Sequence, residues 1–227
     1  TRLDEDRRGY ENFVGDRPGV RGRLRRDERN RVELIDLHMS ADRHFGQDWT
    51  VQFGARRGWL DFASTDRYPL NGDDSGERRD AGVAWSLGAV RAFAHGQLYA
   101  SFGHGFETPT LTEQAYRPDG GAGFNAALGA ARSRSFEIGA RWRGQRGEAS
   151  LSAYRIDGRD EIVPALNRGG RASFANAGAT RREGLEFGAS GDIGAHWRYV
   201  VAANWIDARF VDVYAFAVAN GAQIETR

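Results

Sequence analysis

The sequence predicts an all-β protein, an antiparallel up-and-down transmembrane β-barrel, here a fragment of about eight long strands. Three observations predict it. Short, turn-like segments recur at a spacing of about 50 residues, at Ser40–Asp48, Gly88–Gly96, Arg143–Gly147 and Gly191–His196. Long polar segments separate them: Ala63–Arg79, Phe106–Arg132, Asp157–Arg171 and everything after Asp207. Between each short and long segment, apolar residues alternate with polar ones, as in a strand with lipid on one face and water or protein on the other.

The first 29 residues read as a charged extracellular loop. Arginines through Arg31 are set against Asp4, Glu5, Asp6, Glu11, Asp16, Asp27 and Glu28, and Gly15–Gly19 reads as a turn. Residues 30–210 carry the strands, and 211–227 read as the start of a further extracellular loop. In Arg31–Met39, Val32 and Leu34 alternate with Glu33, then the phase slips at Leu37 and Met39, which predicts a bulge. Trp49–Phe62 puts Trp49, Val51, Phe53 and Ala55 on one face. Asp80–Leu87 does the same with Ala81, Val83, Trp85 and Leu87, and Gln97–Gly105 with Leu98, Ala100 and Phe102.

Arg134–Arg143 and Arg181–Ser190 are the clearest strands. Phe136, Ile138, Ala140 and Trp142 oppose glutamate, arginine and glycine in the first; Leu185, Phe187 and Ala189 do so in the second. Glu148–Asp157 and Trp197–Arg209 complete eight, with Trp197, Tyr199 and Trp205 suited to interfacial belts. Most runs match the ~9–11 residues that a spanning strand needs rather than the ~5–6 of a soluble strand. Short turns on such barrels face the periplasm, so Phe106–Arg132 is expected to be the largest outer loop.

Composition agrees. Glycine contributes 30 residues against 5 prolines, and aromatics 11%, a mixture for strands and turns. The mean hydropathy is −0.61, and no apolar stretch is long enough for a helical span. A net charge of +1 marks no nucleic-acid footprint. All 32 basic residues are arginine, which removes Schiff-base lysines and P-loops, and the lack of cysteine excludes disulfides and thiolate metal sites. Neither a signal peptide at Thr1 nor a closing signal at Arg227 is evident, so both ends are expected to lie inside a longer polypeptide.

Four segments, taken in order, resemble the barrel of TonB-dependent outer-membrane receptors: Leu98–Glu113, Ala131–Gly139, Arg155–Ile162 and Asn176–Glu186. Pro109 suits the point where a strand leaves the sheet, and Asn176 and Gly178 permit a bend. The first 95 residues fit only by strand–turn rhythm. The resemblance implies a bacterial outer-membrane receptor, not an enzyme, that binds and imports a ferric siderophore or similar metal chelate. It also implies outer-membrane lipid around the barrel and a TonB complex acting through a plug domain outside this chain. Ligand contacts are expected from loop aromatics and arginines: Tyr68, Tyr116, Arg117, Phe124, Arg168 and Arg171. Arginine suits an anionic chelate through charge-assisted hydrogen bonds, and the rings suit stacking.

Other chemistry is thin. The five histidines have no metal-ligand spacing, and Asp157 with Asp160 and Glu161 reads as solvated charge at a strand end. Asp73–Gly76 lacks the closing glutamate of a calcium loop, and Gly103 and Gly105 precede no helix. No cofactor is expected. The alternative is a passive porin or an autotransporter translocator without energy coupling, and a third reading is an extracellular soluble β-domain acting as an adhesin.

Overall fold

The computed structural model describes residues 1–70, 72–119, 124–168, 171–212, 214–217 and 223–226. In chain order the elements are β1 (Arg2–Tyr10), β2 (Phe13–Val14), β3 (Arg17–Pro18), β4 (Leu24–Phe45), β5 (Trp49–Asp66), β6 (Gly76–Phe93) and β7 (Gly96–Glu107). They continue with the single helical turn α1 (Leu111–Gln114), β8 (Ala131–Arg143), β9 (Gly147–Arg159), β10 (Ile162–Arg168), β11 (Arg171–Asn176), β12 (Ala179–Ile193), β13 (Trp197–Phe210), β14 (Tyr214–Ala217) and β15 (Gln223–Thr226). One antiparallel sheet of nine strands runs in the order β1-β4-β5-β6-β7-β8-β9-β12-β13, and β2–β3, β10–β11 and β14–β15 are separate hairpins. The sheet is open, with β1 and β13 as its edges among the described residues.

The opening segment differs from the loop expected of it. Its charges form a strand, because Asp4 faces Arg31, Asp6 faces Arg29 and Arg8 faces Asp27 across the β1–β4 ladder. Alternating charge of both signs reads as loop in one strand alone, yet two such strands in register neutralise each other. The count is therefore nine rather than eight. The strands are also longer than their apolar runs: β4 has 22 residues, and β5 and β6 have 18 each.

The register gathers the apolar residues on one face. One row runs Arg43–Val51–Ala89–Ala100–Ile138–Ala153–Leu185–Trp205 across eight strands, and the next runs Phe45–Trp49–Arg91–Leu98–Ala140–Leu151–Phe187–Ala203. These side chains stay open to the surroundings: Ile138 is 52% exposed and Trp197, near the short-turn end, 76%. Such a band suits hydrocarbon, where the alternating strand presents only every second residue. The two charged members sit over aromatic rings, Arg43 5.4 Å from the Phe45 centroid and Arg91 5.6 Å from that of Trp49. The opposite face is small and polar. Gly139 and Gly184 leave space there for the rings of Tyr99 and Tyr154, each of which would stand 2.5 Å from an added Cβ.

No bulge interrupts β4 where its apolar phase slips, since its pairing with β5 runs unbroken from Glu28 to Phe45. Instead, the apolar residues change faces. Val32 and Leu34 point inward, whereas Ile35, Leu37 and Met39 point outward and are exposed. β5 repeats the switch, with Leu60 and Phe62 inward and Phe53 and Ala55 outward. Both strands leave the lipid-facing band at this level and enter a region whose apolar contacts lie on the concave side.

Candidate functional site

What covers that concave side is the long segment between β7 and β8. Its path begins where β7 separates from β6 beyond the Trp85–His104 pair. Phe106 there lies across Gly58 and Gly82 on the concave face, and at Gly82 even a Cβ would collide with its ring. Pro109 is almost wholly buried, and it follows directly on the end of the β7 ladder, as expected of a residue that cannot donate to it. α1 is closed by a capping box: the Thr110 backbone N–H donates to the Glu113 carboxylate at 2.8 Å, and the Glu113 N–H donates to Thr110 Oγ1.

From α1 the segment crosses inward over β6 and β5 to β4. Arg26 Nη2 donates to the Ala115 carbonyl at 3.3 Å, and its guanidinium lies 4.3 Å from the Tyr116 ring centroid. Arg26 also pairs with Glu28 at 2.8 Å. Burial pushes the Glu28 carboxyl above its ordinary range, and neighbouring Arg26 offsets part of that. Phe124 packs on Phe62 with centroids 5.6 Å apart, and its ring fills the space beside Gly76. Leu128 is 1% exposed and Phe62 4%. Burying each contributes about 1.5–3 kcal/mol.

Polar clamps complete the attachment. Arg78, itself paired with Asp80 at 2.5 Å, donates to the carbonyls of Ala126 and Leu128. Asn125 Nδ2 donates to the Phe174 carbonyl at 2.8 Å, which joins the segment to the β10–β11 hairpin. Asn176 does more than bend the chain. Its Oδ1 accepts from the Gly129 N–H at 2.5 Å, while its Nδ2 donates to the carbonyls of Gly129 at 3.0 Å and Asp160 at 2.6 Å. Beside it, Nη1 and Nη2 of Arg182 donate to Glu161, at 2.5 and 2.8 Å, and Thr180 Oγ1 donates at 2.7 Å. The Arg182 hydrogen bonds hold the Glu161 carboxyl below its ordinary range, with desolvation opposing them.

This arrangement lays the segment over the concave face at the long-loop end of the sheet, and it places the expected ligand contacts unequally. Tyr116 and Phe124 share the in-folded segment, but each already packs, on Arg26 and Phe62 respectively. Arg117 is exposed and pairs within the loop with Asp119 at 2.5 Å. Tyr68 stands half-buried in the β5–β6 loop, its backbone N–H donating to Asp66 at 2.7 Å. Arg168 and Arg171 face each other at the tip of the β10–β11 hairpin, and their side chains lie outside the described residues. Arg26, Arg78 and Asn125 escape a reading of the sequence, and Asn176 is legible there only as a bend. For Arg26 and Arg78 the only signal is a polar side chain on the inward phase of a sheet strand.

At the other end of the sheet, a hollow of about 810 Å³ opens on the concave wall beside Gln97, Arg141, Ser150 and Ser190. It belongs to the space that the curved sheet partly encloses. Among the described residues, no group of three or more histidine, aspartate or glutamate side chains could hold a metal ion.

Comparison with known proteins agrees with this architecture. Residues 2–226 match the family described as TonB dependent receptor-like, β-barrel. Among solved structures, the siderophore receptor PiuA of Acinetobacter baumannii superposes with a TM-score of 0.69 at 16% identity, over 92% of this chain and 30% of that one. The ferric-catecholate import receptor Fiu of E. coli K12 gives 0.67 at 13% identity, over 97% and 35%. The copper transporter OprC gives 0.66 at 17%, over 90% and 33%. The chain thus spans about a third of the length of these proteins. The match along almost the whole sequence shows that the chain belongs to the TonB-dependent receptor-like β-barrel family.

Proposed function

We propose that this chain supplies part of the barrel of a bacterial outer-membrane receptor that binds a ferric siderophore or similar metal chelate. Import would draw on TonB, acting through a plug domain outside this chain. One observation carries the reading beyond the family. The longest loop folds over the concave face of the sheet and is fixed there by Arg26, Arg78 and Asn176, so in a closed barrel it would shape and narrow the entrance at the loop end. An entrance of that kind favours selective capture over passive flow. Arg117, Arg168 and Arg171 provide the positive charge suited to an anionic chelate, and Tyr68 a ring suited to stacking. Siderophore receptors and a copper transporter both occur among the structural neighbours, which supports a metal chelate more than it supports any one siderophore.

Uptake tests the reading. Iron-limited cells that lack their own receptors and express the full-length protein are expected to take up radiolabelled iron from at least one of a panel of ferric siderophores, and to stop when TonB is deleted. Uptake that persists without TonB would instead support the passive barrel. Combined Arg117→Ala, Arg168→Ala and Arg171→Ala is expected to lower chelate affinity about tenfold, corresponding to ~1.4 kcal/mol. Unchanged uptake in that variant would remove these arginines from the site.

A further inference from the structure

Above the apolar band, β4 turns a carboxylate into the interior. Arg26, Glu28 and Asn30 follow one another on its inward face, and all three are buried, Glu28 to 6% exposure and Asn30 to 1%. The roof over them is the in-folded segment, which meets Arg26 at the Ala115 carbonyl and the Tyr116 ring. The contact of Phe124 with Phe62 closes the same roof one strand away. A carboxylate ion in such a place is destabilising unless its oxygens are fully matched.

The matching of Glu28 is incomplete. Arg26 meets it at 2.8 Å through Nε. The same guanidinium also serves Ala115 and Tyr116, and its Nη1 is buried without a hydrogen-bond partner among the described residues. Across the ladders, Glu28 faces Arg7 of β1 and Asp66 of β5. Asn30 lies beside it, and Asp74 of the β5–β6 loop adds negative charge. Arg67 is engaged with Asp6, Asp27 and the Glu28 backbone carbonyl. Burial therefore outweighs the neighbouring arginines, and the carboxyl titrates above its ordinary range.

Lifting the loop would let water reach Glu28 and return it to its ordinary value of ~4.3. Closing the loop therefore takes up a proton wherever the pH lies between that value and the raised one. We propose that Glu28 makes the in-folded segment an acid-tightened lid, which closes over β4 as its carboxyl gains a proton and loosens as the pH rises. The neutral acid needs no counter-charge, which leaves Arg26 to hold Ala115 and Tyr116. The other carboxylate of the attachment works in the opposite direction and in another window. Glu161 is held by Arg182 and loses that hold only below ~4.3, so above that value it does not oppose Glu28.

Amide exchange of the folded full-length protein in detergent tests it, corrected at each pH for the exchange rate of an unstructured chain. The Asn125 N–H, which donates to the Gln114 carbonyl at 2.7 Å, reports the loop, and the Ile138 N–H reports the sheet. Protection at Asn125 is expected to rise as the pH is lowered from about 8 to about 5, by up to about tenfold per unit, with Ile138 unchanged. In Glu28→Gln, a neutral side chain of the same shape, the rise is expected to vanish and protection to stay at its acid level. Arg26→Gln removes the nearest cation and is expected to move the rise to higher pH, whereas Glu161→Gln keeps the parent's trend. Asn125 protection that is flat or falls with acid in the parent, or an equal trend at Ile138, would overturn the proposal. So would a parental trend in Glu28→Gln, an unmoved rise in Arg26→Gln, or loss of the trend in Glu161→Gln. The readout needs no chelate, so its failure leaves the proposed function untouched.

Discussion

The lower and upper halves of β4 and β5 belong to the same unbroken ladder, yet they obey opposite rules. In the lower half, Leu37, Met39, Phe53 and Ala55 point outward, while the inward face holds Asp36, His38, Gly54 and Arg56. In the upper half, Phe62 and Asn30 are buried on the inward face, and Glu33 and Asp61 point outward. The backbone does not distinguish them, because pairing is continuous. Their surroundings do. The exposed apolar band of the lower half suits lipid outside, whereas the upper half carries charge outside and the in-folded loop within. On the outer-membrane reading, the level at which apolar residues change faces marks the membrane boundary.

The comparison can be broken by exchanging the rules. Phe62→Ala in the upper half is expected to cost about 3–5 kcal/mol. It removes the partner of Phe124, and protease cleavage between Pro109 and Ala131 should appear before the barrel strands unfold. Ile138→Arg, in the same apolar band on β8, is expected to cost about 2–4 kcal/mol, measured by reversible folding into vesicles in urea. Equal costs for arginine at Ile138 and at outward Thr65 in the upper half would show that the boundary has been misplaced.

A smaller effect is expected from Asn176→Ala, which deletes two hydrogen bonds between the loop and the β10–β11 hairpin and a third to the Asp160 carbonyl after β9. A loss of ~1–3 kcal/mol should appear as faster amide exchange at Gly129 and Ala177, with the lower half unchanged.

Acid titration gives the smallest signal. The Glu161 carboxyl titrates below its ordinary range because of Arg182. The attachment it provides is therefore complete above an unfolded-state pKa of ~4.3, and it is lost as pH falls through the lowered value. In Glu161→Gln that loss disappears from the pH profile, a difference of up to ~1 kcal/mol once solvent screening is allowed for. A variant whose acid profile follows the parent would assign the acid sensitivity to another group.

Much of the lower half was legible in the sequence. Period-two alternation in Arg134–Arg143 and Arg181–Ser190 gave strand type, direction and lipid face together, because hydrocarbon imposes one simple demand on every second residue. The upper half was not legible in the same way. Arg2–Tyr10 reads as loop until its charges meet those of β4, and the phase change at Leu34–Leu37 reads as a bulge until the inner face is seen to be covered. Tyr116 and Phe124 could be picked out as loop aromatics, but not that Arg26 and Phe62 already occupy them.

The sequence alone thus determined the alternation of strand and turn, the apolar face of each spanning run and the class of barrel. These rest on neighbours one or two residues apart, and on a solvent that treats all strands alike. Tertiary structure decided which loop folds inward and which arginines are consumed as clamps. Those outcomes depend on pairs such as Arg26 with Tyr116 and Asn176 with Gly129, tens of residues apart, and only the folding of the long loop over the sheet brings such groups into contact.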